Sequence, residues 1–153
     1  MYKTARFNKK SGKMILFIVI IAVVALLITR CAVVRGGNNV KVAGAADIAV
    51  FLSGFGWEVN AEPVTLKNVQ IPAKFNEAYE RYNTLQKRQG FDLSRHRADI
   101  AESYTFRVLN HPAAGDVFAN VLVFRGRIIG GDICSFALDG FMTGFDGQLT
   151  INN

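Results

Sequence analysis

The most regular feature of the hydrophobic pattern is a run without a polar residue from position 14 to position 28. As an α-helix continued to residue 34, this segment measures about 31 Å, close to the ~30 Å hydrocarbon core of a bilayer. We therefore predict a membrane anchor over residues 14–34. Its apolar residues are Met14, Ile15, Leu16, Phe17, Ile18, Val19, Ile20, Ile21, Ala22, Val23, Val24, Ala25, Leu26, Leu27 and Ile28.

Three other interpretations of this run fit its flanks less well. A cleaved signal peptide needs small residues soon after its apolar core, and Thr29-Arg30-Cys31 does not supply them. A lipoprotein signal needs a small residue directly before its cysteine, whereas Arg30 precedes Cys31. A buried helix of a soluble domain is seldom apolar on every face for four turns. The flanks thus favour an uncleaved signal anchor.

After the anchor, residues 35–46 contain three glycines and no apolar period, which predicts a flexible linker. The periodicity then changes to that of a helix over 47–55, with Gly56 placed to end it. An extended segment follows Pro63, and Pro72 is placed to open a second helix that ends near Gln89, before Gly90.

The second half of the chain alternates apolar and polar residues as β-strands do. We predict strands over 100–109, 116–124 and 127–136, with a tight hairpin turn at Arg125-Gly126 and a bulge or close contact at Gly130-Gly131. Phe141, Met142 and Phe145 are expected to cover an edge of the core. The predicted fold class is α+β: two helices packed on one face of an antiparallel β-meander, forming a small domain over residues 47–153.

The charge distribution sets the orientation and excludes one class of partner. The net charge is +6, with five cations in the tail, residues 1–13, and three more between residues 30 and 41. The rest of the chain carries ten Lys and Arg against all twelve Asp and Glu, a net charge of −2. The tail is therefore expected to be cytoplasmic and the domain extracytoplasmic. A mildly acidic domain is a poor binder of nucleic acid.

Few side chains are candidates for catalysis. Cys134 could act as a nucleophile with His96 or His111 as its base, but no basic neighbour in the sequence lowers its pKa, and a small buried core residue is the simpler interpretation. Two histidines without regular spacing do not indicate a metal site. We expect no cofactor, no metal and no catalytic residue.

Two groups of side chains are candidates for binding. Four aromatic residues could form one binding face: Tyr79, Tyr82, Tyr104 and Phe106. Aromatics at such spacing are more often part of a core. Five arginines could form a basic patch for an anionic lipid or wall polymer: Arg95, Arg97, Arg107, Arg125 and Arg127. Scattered arginines are more often solvated, so we single out only the hairpin pair, Arg125 and Arg127, as the candidate binding surface.

Several stretches of the domain resemble a family that is described only as a domain of unknown function, found in small single-pass membrane proteins of Gram-positive, largely anaerobic bacteria. The resemblance covers residues 50–145 and rests on four strings: FLSGFGWEV from residue 51, IPAKFNEAYERYNTLQKRQGFDLS from 71, YTFRVLNHP from 104 and VLVFRGRIIGGDICSFALDGFMTGF from 121. It implies a bacterial envelope protein and supplies no catalytic residues.

Three functional hypotheses follow. The first is a membrane-anchored, extracytoplasmic binding module for an envelope protein or a wall component. The second is a signal-sensing or regulatory subunit of a membrane complex, which would need a partner because the tail is too short to hold an effector domain. The third is a small thiol-dependent enzyme that uses Cys134.

Overall fold

The computed structural model describes residues 40–112, 115–137 and 140–148. The anchor predicted at 14–34, with its tail at 1–13, lies outside these residues. Within them, no helix is long and apolar enough to cross a bilayer. The elements are α1 (Ala45–Ser53), β1 (Thr65–Gln70), α2 (Glu77–Arg88), a short 3-10 helix (Leu93–His96), β2 (Ile100–Val108), β3 (Val117–Phe124), β4 (Arg127–Ser135) and β5 (Met142–Thr143).

The sheet has five strands in the order β1-β2-β3-β4-β5, and every neighbouring pair is antiparallel. The α+β class and the meander are therefore confirmed. The predicted hairpin turn is also confirmed, because Arg125 and Gly126 have φ values of 49° and 69°, both in the left-handed region that a type I′ turn requires.

The two helices lie on opposite faces of the sheet, so the prediction that both pack on one face is wrong. On α1, Ile48 and Leu52 belong to a core with Phe106 and Val121. On α2, Tyr79 and Tyr82 pack on the other core, which contains Leu122. Neighbouring residues of a strand point to opposite faces, so Val121 and Leu122 identify the two faces. Apolar residues at successive positions of β3 and β4 give each helix a surface to cover.

The ends of the two helices are set by local residues: a left-handed glycine after α1 and an asparagine cap before α2. Helix α1 ends at Ser53, earlier than the predicted Phe55, but the predicted left-handed residue is present: Gly56 has a φ of +92°, and the Trp57 N–H donates to the Leu52 carbonyl at 3.2 Å. Helix α2 begins later than Pro72, because the Asn76 side chain accepts from the Tyr79 N–H at 2.9 Å and so caps the helix there.

The segment before α1 belongs to the folded domain. The Val42 N–H donates to the Gly126 carbonyl at 2.9 Å, and the Ile128 N–H donates to the Val40 carbonyl at 3.0 Å. Residues 40–42 thus run along the start of β4, beside the hairpin. The predicted linker, 35–46, was too long at its C-terminal end, because glycine content does not reveal that a segment pairs with a distant strand. Residues 35–39 lie outside the described part of the chain.

Candidate functional site

The hairpin turn borders a cavity of about 330 Å³. This hairpin cavity is lined by Asp92, Arg95, His96, Phe124, Arg125, Arg127, Ile128 and Ile129. Both arginines of the candidate binding surface therefore line one concave site, and the structure adds Arg95 from the 3-10 helix. The volume is at the lower end of the range for ligand pockets, ~300–1,000 Å³, and suits a small group.

Local chain geometry brings the hairpin arginines to this cavity. In the β3–β4 register Arg127 lies opposite Phe124, and the two-residue turn joins them. The Arg125 guanidinium carbon lies 5.0 Å from the centre of the Phe124 ring, over its face. The His96 ring meets the same Phe124 ring edge to face at 5.3 Å. The Phe124 ring thus contacts both the Arg125 guanidinium and the His96 imidazole.

The backbone at Arg125 adds information about the site. A φ of 49° is unfavourable for a residue with a side chain, and Asn, Asp or Gly usually occupies this turn position. Arginine therefore carries a conformational cost there that a common turn residue avoids. Strained positions of this kind occur disproportionately at functional sites, where the side chain offsets the cost.

The charge of the hairpin cavity is positive. Three arginines line it, and Asp92 is the carboxylate among its lining residues. The Ser94 hydroxyl donates to Asp92 at 2.6 Å and lowers the pKa of Asp92, with further donation from Asn83. Asp92 therefore stays ionised and lies 3.7 Å from the Arg95 side chain. Asp92 thus orients Arg95, and the described lining residues carry three formal positive charges and one negative charge.

The other arginines of the hypothesised basic patch lie elsewhere. Arg97 stacks over the Phe75 ring at 4.7 Å and lies 3.7 Å from Glu80. Arg107 pairs with Asp116. Three of the five arginines therefore line the hairpin cavity, whereas Arg97 and Arg107 make their contacts elsewhere.

A second, larger cavity of about 550 Å³ lies between the first half of α2 and the end of β4. Tyr79, Tyr82, Phe136 and Phe141 are among its lining residues, and Cys134 forms part of its floor. The other two aromatics of the hypothesised binding face, Tyr104 and Phe106, are buried in the core on the opposite side of the sheet. The single aromatic face is therefore not formed.

A buried polar network lies beneath this second cavity. The Asp132 carboxylate accepts from the Tyr82 hydroxyl at 2.8 Å and from the Asn120 amide at 2.9 Å. The side-chain oxygen of Asn120 in turn accepts from the Thr105 hydroxyl at 2.8 Å. Burial raises the pKa of Asp132, and its hydrogen-bond donors offset part of that rise. Burial also raises the pKa of Tyr82, and the neighbouring carboxylate raises it further.

Cys134 is built into the same network as an inert thiol. Its exposed fraction is 3%, and its sulfur accepts from the Asn120 amide at 3.3 Å. Burial, followed by the Asp132 charge, raises the pKa of Cys134 to about 12, so the thiol is protonated at neutral pH. His96 lies at the hairpin cavity, and the His111 ring stacks on Trp57. Neither arrangement provides a base for the thiol.

The sequence did not predict the hydrogen-bonded set of Asp132, Asn120 and Tyr82. The available signal was the presence of Asn120 and Asp132 within strands that are otherwise strongly apolar. Their register positions face each other in β3 and β4, which only the pairing reveals. No group of three or more His, Cys, Asp or Glu side chains suited to a metal ion occurs in the part of the chain that the structure describes.

Comparison with known protein families assigns the domain to one of them. A family model for a domain of unknown function (DUF4830) matches residues 51–133. The chain belongs to this family. No curated protein and no solved structure matches it significantly. Every residue that lines the hairpin cavity lies inside the matched DUF4830 range, whereas the wall of the second cavity that begins at Cys134 lies beyond it.

Proposed function

We propose that this DUF4830 protein is a single-pass, membrane-anchored binding module that binds an anionic group of the bacterial envelope in its hairpin cavity. The observation that carries the proposal is the convergence of Arg95, Arg125 and Arg127 on one concave site. Arginine presents a planar fork of N–H donors that matches carboxylate and phosphate oxygens. Candidate ligands are therefore carboxylates or phosphates on an envelope protein, on a wall component or on the bilayer. No catalytic step, cofactor or metal is part of the proposal.

The proposed location rests on the sequence. The apolar segment 14–34 serves as a signal anchor, the basic tail stays in the cytoplasm and the domain faces outward. The resemblance to single-pass proteins of Gram-positive anaerobes supports a bacterial cell membrane. The domain is mildly acidic, whereas three arginines line the hairpin cavity, and this contrast supports selective binding at that site over general adhesion to polyanions.

A regulatory role is the second candidate, and one observation favours it. Residues 40–42 are bonded to the backbone on both sides of Arg127, so the N-terminal entry of the chain contacts the hairpin directly. A ligand in the hairpin cavity would then act on the segment that leads toward the anchor. The thiol-enzyme hypothesis has the least support, because Cys134 is buried and protonated.

Lysine labelling in intact cells tests the location. We expect an amine reagent that does not cross membranes to modify exposed Lys67 and Lys74 of the domain, because they face outward under this proposal. Lys9 and Lys10 of the tail should react only after the cells are permeabilised. Mass spectrometry of the labelled peptides gives the result. The reverse pattern would place the domain in the cytoplasm and overturn the proposal.

Binding of a soluble oxyanion tests the cavity. We expect pyrophosphate at about ten times its dissociation constant to stabilise the full-length protein in detergent by ~1.4 kcal/mol, and so to raise its unfolding midpoint by about 5 °C. Fluorescence of Trp57, the one tryptophan in the chain, reports unfolding. The double variant R125Q/R127Q should lose this shift.

The matched control is R81Q/R107Q, which removes two exposed arginines that do not line the hairpin cavity. It should keep the full pyrophosphate shift, since both side chains belong to surface ion pairs that contribute little to stability. Equal shifts in the wild type and in both double variants would show that the cavity is not the binding site.

A further inference from the structure

We infer that the hairpin cavity docks on anionic phospholipid headgroups of the membrane that anchors the chain. This inference rests on the proposed function and names its ligand: the phosphate group of a lipid. The argument combines the length of chain between the predicted anchor and the cavity with the charge and shape of the cavity itself.

Chain length limits the distance between the hairpin and the predicted anchor. The predicted span ends at residue 34, and the first described residue is Val40, whose carbonyl accepts from the Ile128 N–H. The intervening residues, 35–39, reach about 18 Å at full extension. The turn at Arg125 and Gly126 adjoins residues 40–42, whereas α2 and β1 have no such link to the entry segment. The hairpin is therefore bonded directly to the first described residues after the predicted anchor.

Charge complementarity favours a lipid phosphate as the occupant. Lys41 is exposed and lies beside Arg127 in a bridge pairing, so it extends the positive charge of the cavity toward the entry of the chain. The cavity walls at Ile128 and Phe124 are apolar, and Arg125 rests on the Phe124 ring. Such a site offers N–H donors to phosphate oxygens beside the apolar ring of Phe124.

Tethering makes a weak site sufficient. Because the anchor holds the cavity within a short distance of the surface, docking is intramolecular, with an effective lipid concentration in the millimolar range or above. Each basic residue near an anionic surface strengthens attachment about fivefold. Loss of Arg125 and Arg127 together should then reduce the ratio of docked to undocked molecules about 25-fold.

Hydrogen exchange of the full-length protein in lipid nanodiscs tests this inference. Two kinds of disc are compared, one of zwitterionic phosphatidylcholine and one with added phosphatidylglycerol. We expect the peptide that covers residues 124–128 to exchange several-fold more slowly in the anionic discs. The peptide that covers β1, residues 65–70, should exchange equally in both. Protection should disappear in R125Q/R127Q and at high salt, and it should persist in R81Q/R107Q.

A second arm separates failure of this inference from failure of the proposed function. Pyrophosphate is added to the protein in zwitterionic discs. If it protects residues 124–128 while anionic discs do not, the cavity binds oxyanions but does not dock on lipid, and the inference is overturned alone. If neither pyrophosphate nor anionic lipid protects the hairpin, both are overturned. Equal protection in anionic discs for the wild type and R125Q/R127Q would also overturn the inference.

Discussion

Gly131→Ala is expected to destabilise the domain by about 3–5 kcal/mol, a large part of the stability of a typical small domain. A Cβ atom at this position would lie 2.2 Å from the Asn120 carbonyl oxygen and 2.4 Å from the Phe145 ring. The first contact is with backbone of the paired strand, which cannot move without breaking the sheet. The φ of +155° adds strain, since residues with side chains rarely adopt it.

The position is also fixed from the helix side. The Gln86 side chain accepts from the Gly131 N–H at 2.8 Å, and the Gln89 side chain donates to the Gly131 carbonyl at 3.0 Å. The side-chain oxygen of Gln89 also accepts from the Phe145 N–H at 2.7 Å. A shift of β4 that relieved the clash would therefore separate bonded partners on α2, so relaxation is costly.

Urea unfolding of the full-length protein in detergent, followed by Trp57 fluorescence, measures the loss. Trp57 is a suitable probe because its indole N–H donates to the Phe145 carbonyl at 2.6 Å and so reports this region directly. The control is Gly44→Ala, where a Cβ atom meets nothing within 4 Å and the cost should stay below ~1 kcal/mol. Equal stability of the two variants would refute the close contact at Gly131.

Asp132→Ala is expected to cost about 2–4 kcal/mol. Removal of the carboxylate takes away the acceptor of the half-buried Tyr82 hydroxyl and one acceptor of the Asn120 amide, and it leaves a void beneath α2. Asp132→Asn should cost much less. Its carbonyl can accept from Tyr82, and its amide can donate to the Asn120 side-chain oxygen once the Asn120 amide turns over, so that the Asn120 NH2 group then donates to the Thr105 hydroxyl oxygen. A loss as large in the asparagine variant as in the alanine variant would contradict this network.

The same pair of proteins separates the charge of Asp132 from its packing. Because the folded-state pKa of Asp132 is raised above 3.8, the folded protein holds this proton more tightly than the unfolded chain does. Stability from this group is therefore full below about pH 3.8 and is lost as pH rises through the folded-state pKa. The stability of Asp132→Asn relative to the wild type should rise across that window. A difference that stays constant with pH would show that Asp132 titrates normally.

Local sequence signals predicted the elements of the domain but not their assembly. The strand boundaries, the Arg125-Gly126 turn and the Gly56 cap follow from residue types within a few positions of each other. The amphipathic pattern of a helix shows that one side is buried and does not show which face of a sheet covers it. Both faces of β3 and β4 are apolar, so the sequence permitted either arrangement of α1 and α2.

Only part of the candidate site, the pair Arg125 and Arg127, could be predicted from the sequence, for a similar reason. Arg125 and Arg127 are neighbours in the chain, so a hairpin brings them together without reference to the rest of the fold. Arg95 joins them only because the 3-10 helix packs beside Phe124, and Arg97, two residues later, turns to Phe75 and Glu80. Whether Arg95 and Arg97 point to the same site depends on how the 3-10 helix packs against distant strands. The residue types alone do not determine that packing.

The pairing of residues 40–42 with the start of β4 also bears on how the domain behaves once it is separated from its anchor. Residues 40–42 cover one end of the outer edge of β4, and β5 covers the other end at Ile133 and Cys134. A fragment cut at Asp47, where the glycine-rich composition suggests a boundary, would uncover backbone donors and acceptors at the N-terminal end of that strand. Uncovered strand edges pair with other chains, so such a fragment would be prone to aggregate. A fragment that begins before Val40 keeps this edge closed and is the better starting point for work on the isolated domain.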